Sequence, residues 1–256
     1  MTSRQIVFIK LICYSLIFLF FVIPVDAQTS GKQVVVLVHG AWGGAWSFKK
    51  VDSVLTEKGY IVYRPTLTGL GEKCHLASKD IGLETHINDV VNMFLFEDLH
   101  DVILLGHSYG GMVITGAADR VADRIKKIIY LDAFVPDDGE SLVSLQGGNS
   151  AWIDNAAKDG LLAPFWPVPA SYPRDVPHPV QTLKDPVKLT GAASKIPTSY
   201  ILTYDPGKTP EQDGFYNMYL KAKNKGWDLY EMEADHNPQL TKTAEFTDLL
   251  IKIFNK

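Results

Sequence analysis

Short runs of apolar, largely β-branched residues alternate along the chain with segments whose apolar positions recur every three or four residues. Val34 to Val38 (VVVLV) reads as a strand buried on both faces of a parallel sheet. Ile61 to Tyr63, Val102 to Leu105, Ile128 to Leu131, Tyr200 to Thr203 and Asp228 to Glu231 are further strand candidates. Between them, Ile87, Val90, Val91, Phe94 and Leu95 form one apolar helical stripe, and Phe246, Leu249, Leu250 and Ile253 form another. Val51, Val54 and Leu55 mark a third, stopped by Gly59 where a left-handed cap is wanted. The alternation predicts an α/β fold, a mostly parallel sheet covered by helices on both faces, with functional residues following strands.

One stretch breaks the rhythm. From about 134 to 196 the chain is rich in Pro and Gly and carries Trp152, Phe165, Trp166 and Tyr172. Loops this long usually have a task. We read the stretch as a cap insertion over the strand ends, with Trp42, Trp152, Phe165 and Trp166 as candidate walls of a substrate pocket.

The N-terminus departs from the pattern in another way. Arg4 and Lys10 precede an apolar run from Leu11 to Ile23, followed by Pro24, Val25, Asp26 and Ala27 and then by polar residues from Gln28. This is the layout of a secretory signal peptide, with small residues at −3 and −1 of a cut before Gln28. The thirteen-residue run falls short of the roughly 18 to 20 residues that a membrane span needs. Residues 1–27 are therefore expected to be a signal peptide and 28–256 the mature domain, exported to the periplasm or secreted. Composition adds exclusions: 25 basic against 29 acidic side chains and 46% hydrophobic residues describe neither a disordered chain nor a nucleic-acid-binding one. Of the two cysteines only Cys74 lies outside the leader, so no disulfide framework is expected.

The chemistry concentrates after the third strand, where Gly106-His107-Ser108-Tyr109-Gly110-Gly111 leads into the helix-compatible run Met112 to Val121. G-x-S-x-G between a strand and a helix is the context of a nucleophile elbow. Gly106 and Gly110 are there for steric reasons: the turn is sharp, and side chains at either place would meet neighbouring backbone. A serine nucleophile needs a base, and two histidines follow it, His178 and His236. His178 sits between prolines in the expected cap, a structural setting. His236 follows the last strand just before the C-terminal helix and is the expected base. The acid should follow a strand between the two, which leaves Asp205 as the leading candidate and Asp132, closing the Ile128–Leu131 run, as its rival. If Asp205 is the acid, Asp132 organises a loop or the cap hinge. Asp235 reads as an ordinary loop carboxylate. For an oxyanion hole, the backbone N–H of Tyr109 and that of Ala41, in the Gly-rich loop after the first strand, are the expected donors, with Trp42 as the alternative to Ala41. His39 and His107 read as structural. This chemistry needs no metal or organic cofactor, and the expected partner is a small ester.

Val38-His39-Gly40-Ala41-Trp42, Leu67-Thr68-Gly69-Leu70-Gly71, the serine elbow, Tyr130-Leu131-Asp132-Ala133 and Ala234-Asp235-His236 together resemble the α/β-hydrolase superfamily. Within it the chain is similar to the small-esterase branch of plant methyl-ester esterases, hydroxynitrile lyases and bacterial carboxylesterases. The resemblance implies an α/β-hydrolase fold and carboxylesterase activity. It also implies Ser108, Asp205 and His236 as nucleophile, acid and base, with Ala41 and Tyr109 at the oxyanion. Hydroxynitrile lyases carry Lys after the catalytic His and Thr in the oxyanion loop; Asn237 and Ala41 here disfavour lyase activity. The alternative functions are a small-molecule receptor on the same shell, or amide hydrolysis, carbon–carbon hydrolysis or cyanohydrin cleavage by the same residues.

Overall fold

The computed structural model describes residues 31–256, so the expected signal peptide and its cut before Gln28 lie outside the described residues. Eight strands are present: β1 (Val34–Val38), β2 (Ile61–Tyr63), β3 (Val102–His107), β4 (Ile125–Leu131), β5 (Leu161–Leu162), β6 (His178–Pro179), β7 (Thr198–Tyr204) and β8 (Asp228–Glu233). Six of them build one sheet in the order β2-β1-β3-β4-β7-β8, and every neighbouring pair is parallel. The α-helices are α1 (Lys49–Glu57), α2 (Leu83–Phe96), α3 (Gly110–Arg120), α4 (Leu142–Leu145), α5 (Ala151–Ala156), α6 (Gln181–Lys184), α7 (Tyr216–Asn224), α8 (Pro238–Thr241) and α9 (Thr243–Phe254).

Strand periodicity divides the core into two layers. Val36 and Val38 of β1, Leu104 of β3 and Tyr130 of β4 face a cluster with α2, α3 and residues of the 134–196 segment. Val35, Leu37, Ile103, Leu105, Ile129 and Leu131 face the opposite cluster, closed by Val51 and Leu55 of α1 and by Phe246, Leu250 and Ile253 of α9. The central strands are thus apolar on both faces because both faces are covered. The chain after α1 turns through Gly59 at φ +94°, as its place beyond the helix end predicts. β4 starts three residues earlier than the apolar run does, since Lys126 and Lys127 interrupt the pattern. Lys127 is buried all the same, with its ammonium donating to the Ile253 carbonyl at 2.6 Å.

Residues 134–196 hold short helices, the two-residue ladder of β5 with β6, and extended chain. The segment is fixed at both of its surfaces. Val176 N–H donates to Trp42 O, and the Trp42 indole N–H donates to Leu162 O at 2.8 Å, which ties the segment to the loop after β1. Further on, Asp185 accepts from Leu83 N–H at the start of α2, and Asp119 of α3 accepts from the backbone and hydroxyl of Thr190. Among the described residues no helix is long and apolar enough to cross a membrane.

Candidate active site

β3 delivers Ser108 into a left-handed turn at φ +54°, a conformation that a non-glycine residue keeps only when its surroundings hold it there. Here they do. Ser108 N–H donates to Leu131 O, and Ser108 O accepts from Gly111 N–H and Phe134 N–H, so the elbow is bonded to both sides of the β4 end. The expected glycine roles hold: an added Cβ at Gly106 would stand 2.7 Å from Gly110 O, and one at Gly110 would stand 2.8 Å from the carbonyls of Val38 and His39. Gly111, to which sequence reasoning gave no role, is tighter still at 2.1 Å from Phe134 O.

His236, in the loop after β8, lines the same pocket of about 160 Å³ as Ser108. No direct hydrogen bond joins the two among the described residues; such contacts are often loose without substrate and tighten in the reacting complex. The acid is where the structure departs from the leading expectation. His236 Nδ1 lies 2.6 Å from Asp132 Oδ2, whose side chain is almost wholly buried. Asp205 is half-exposed and engaged by Lys208 at 2.7 Å. Register explains the difference. Both Ser108 and Asp132 follow the paired residues His107 and Leu131, and Leu131 is level with Ile201 of β7. Asp132 therefore sits beside Leu202, and Asp205 lies three residues, or about 10 Å, farther along the strand direction. Asp132 is itself turned at φ +43°, its N–H donating to Ile201 O and its Oδ1 accepting from Thr203 N–H. With Nδ1–H on the carboxylate, the His236 Nε2 is left as the acceptor.

Two rings hold the imidazole. His107 lies on one side, its centroid 4.6 Å away, and its Nε2–H donates to His236 O at 2.8 Å. Phe215, just before α7, stacks on the ring at 5.1 Å and 11°. Asp213 nearby accepts from Phe215 N–H, and burial together with the charge of Asp132 pushes its carboxyl above the usual range.

The expected oxyanion donors are open. Neither Ala41 N–H nor Tyr109 N–H donates to another group among the described residues. Trp42 N–H is taken by His178 Nδ1 at 3.2 Å, which removes Trp42 as the alternative. Tyr109 contributes backbone only: its side chain is buried and its hydroxyl pairs with His86 Nδ1. His39 and His178 sit in the structural settings expected of them. His39 donates to Gly40 O and accepts from Leu67 N–H, and burial lowers its pKa to about 4. His178, which also donates to Thr182, is held well below the usual imidazole range by burial. Asp235 accepts from Asn237 N–H and the Thr241 hydroxyl, the loop role expected for it.

Of the expected walls, Trp42 and Trp166 line the pocket. Phe165 and Trp152 do not. Phe165 packs edge-on against Trp42 at 5.8 Å and Trp152 packs against Phe165, so the two form an outer aromatic layer exposed to solvent. Their aromatic character signalled a cap, but which ring turns inward depends on the path of a proline-rich chain that has no periodicity to read. Asp175 and Gln239 line the pocket without having been anticipated.

Residues 35–249 match the alpha/beta hydrolase family. The chain belongs to that family. A carbendazim-hydrolysing esterase of Nocardioides sp. is 35% identical over 240 residues, covering 84% of this chain and 97% of that protein. Methylesterase 1 of Arabidopsis thaliana is 24% identical over 90% of this chain and 99% of its own length. Among solved structures, an extracellular α/β-hydrolase of a Paenibacillus species, described as sharing structural and functional homology with tobacco salicylic acid binding protein 2, superposes with a TM-score of 0.72. It is 27% identical, over 86% of this chain and 98% of that one. The α/β-hydrolase fold and the esterase kinship expected from the motifs both hold.

Proposed function

We propose that this esterase is a serine carboxylesterase in which Ser108, His236 and Asp132 act as nucleophile, base and acid. The observation that carries the reading is the bond between His236 and the buried Asp132 at the wall of the pocket that holds Ser108, with two free backbone donors beside it. His236 Nε2 takes the hydroxyl proton as Ser108 attacks the ester carbonyl, and Asp132 keeps the ring oriented and stabilises the imidazolium. The N–H groups of Ala41 and Tyr109 receive the oxyanion, a contribution worth on the order of 100 to 1,000 in rate per donor in such sites. The proton on His236 passes to the leaving alcohol, and water then enters by the same route to release the acid. Trp42, Trp166 and Leu240 offer apolar wall to a small ester.

Replacing Ser108 by Ala is expected to lower hydrolysis of a p-nitrophenyl short-chain ester by about 10⁴-fold or more and to abolish labelling by a fluorophosphonate. Retained turnover would remove Ser108 from the mechanism. The protein is further proposed to be exported after cleavage before Gln28, on the strength of its N-terminal pattern and its likeness to an extracellular hydrolase. N-terminal sequencing of protein from the culture medium or periplasm is expected to begin at Gln28, and a start near Met1 would refute the cut.

A further inference from the structure

Several polar groups lining the pocket around Ser108 lack partners: the Trp46 indole N–H is a buried donor, and Gln239 and His107 each leave a buried acceptor. Gln239 is fully buried; its amide nitrogen donates to Asn237, and its Oε1 has no partner. His107 gives its Nε2–H to His236 O, which leaves Nδ1 as a bare acceptor, also buried and unpartnered. Asp175 adds a full negative charge. It is half-buried, no basic side chain among the described residues pairs with it, and its Oδ2 accepts only from the Trp166 indole at 2.9 Å. Its neighbour Val176 is bonded to Trp42 O, which fixes the carboxylate against the loop carrying the oxyanion donor Ala41. A Cβ on Gly43 in that loop would stand 3.9 Å from Asp175 Oδ1.

A buried acceptor without a donor carries a desolvation penalty that a bound partner relieves. A carboxylate in a narrow cleft also raises the local concentration of cations. We infer that Asp175, supported by Gln239 Oε1, forms a subsite for a positively charged N–H donor on the substrate, so that the preferred esters carry an ammonium group close to the scissile bond. This rests on the pocket of Ser108 being the site of ester hydrolysis. Binding would place an ammonium N–H bond on the Asp175 carboxylate, with the ester carbonyl directed at Ala41 and Tyr109.

The test compares kcat/KM for two nearly isosteric esters, p-nitrophenyl 3-aminopropanoate and p-nitrophenyl butanoate, in wild type, Asp175→Asn and Asp175→Lys. The amine-to-alkyl ratio, corrected for the uncatalysed rates, is expected to fall tenfold or more in Asp175→Asn and further in Asp175→Lys. A ratio that stays the same in all three proteins overturns the subsite. Because a variant could misfold, wild type is also assayed with n-butylammonium and 1-butanol as competitive inhibitors of butanoate hydrolysis. The ammonium is expected to bind at least tenfold more tightly, with a difference that shrinks as salt rises. Equal inhibition by the two overturns the proposal independently of any variant. Ser108→Ala separates the two readings: if it still hydrolyses both esters, the assignment of the reacting site fails, whereas loss of turnover with an unchanged ratio across the Asp175 variants sinks the subsite alone.

Discussion

The ends of β4 and β7 each present an aspartate just beyond the strand, and the two ends are built for different tasks. Asp132 at the β4 end is buried, turned at positive φ, and bonded to His236, to Thr203 N–H and through its own N–H to Ile201 O. Asp205 at the β7 end is half in water and paired with Lys208, three residues on. β4 adjoins the elbow strand, and its register sets Asp132 level with Ser108. β7 is one strand farther out and overshoots. Its end reaches His236 in another way, through Phe215, whose ring stacks on the imidazole and whose N–H is held by Asp213. One strand end thus offers a charge and the other a flat apolar face. A carboxylate that follows a strand is therefore matched to its base by register, and chain order alone does not decide it.

The largest expected effect tests this directly. Asp132→Asn is expected to lower kcat by about 10³- to 10⁴-fold, because the amide cannot hold the imidazole in the required tautomer or stabilise its charge. Steady-state kinetics on a p-nitrophenyl ester measures it, and a loss of less than tenfold would break the comparison. Asp205→Asn, the matched substitution at the other end, belongs at the bottom of the scale, with a change of less than twofold. A reversal of the two would return the acid to β7.

Next in size is acid sensitivity at the elbow side of the molecule. Burial lowers the pKa of His39 and of His86 from 6.5 to about 4, and holds His107 and His178 well below their usual range. The unfolded chain takes up these protons near pH 6.5, whereas folded His39 and His86 take them up only near pH 4, and burial keeps His107 and His178 neutral well below their usual range. Stability from these groups is therefore complete above pH 6.5 and is lost as pH falls toward 4. The slope is about 1.4 kcal/mol per pH unit for each fully shifted histidine. The urea midpoint is expected to drop markedly between pH 7 and pH 5, and equal midpoints would show that these imidazoles are not held neutral.

A smaller effect sharpens the role of the β7 side. Phe215→Leu keeps apolar bulk but removes the π face, and an aromatic ring against a cation is worth about 0.5–1 kcal/mol at accessible sites. A fall of about two- to fivefold in kcat on a p-nitrophenyl ester is expected. An unchanged kcat would reduce Phe215 to a spacer.

Much of this was open to sequence reasoning because it rests on local rules. The six sheet strands and the elbow glycines follow from short-range periodicity and steric need, and the roles proposed for Ser108, His236 and the Tyr109 N–H rest on the same motif and on chain order. The start of β4 was hidden because Lys127 buries its stem while its ammonium finds a carbonyl on α9. The choice between Ala41 and Trp42 as the second donor turned on one hydrogen bond to His178, 136 residues away. The pocket walls were legible only in composition: aromatic residues mark the cap, but Trp166 turns in while Phe165 and Trp152 stay outside.

By itself the sequence determined the fold class and singled out the serine and histidine proposed as nucleophile and base, since each is written in residues close together along the chain and enforced by backbone sterics and burial. The tertiary structure alone decided which aspartate faces the base, which N–H groups stay free and which acceptors are left without donors. Those outcomes depend on the relative register of neighbouring parallel strands and on contacts across more than a hundred residues, distances over which no local pattern carries information.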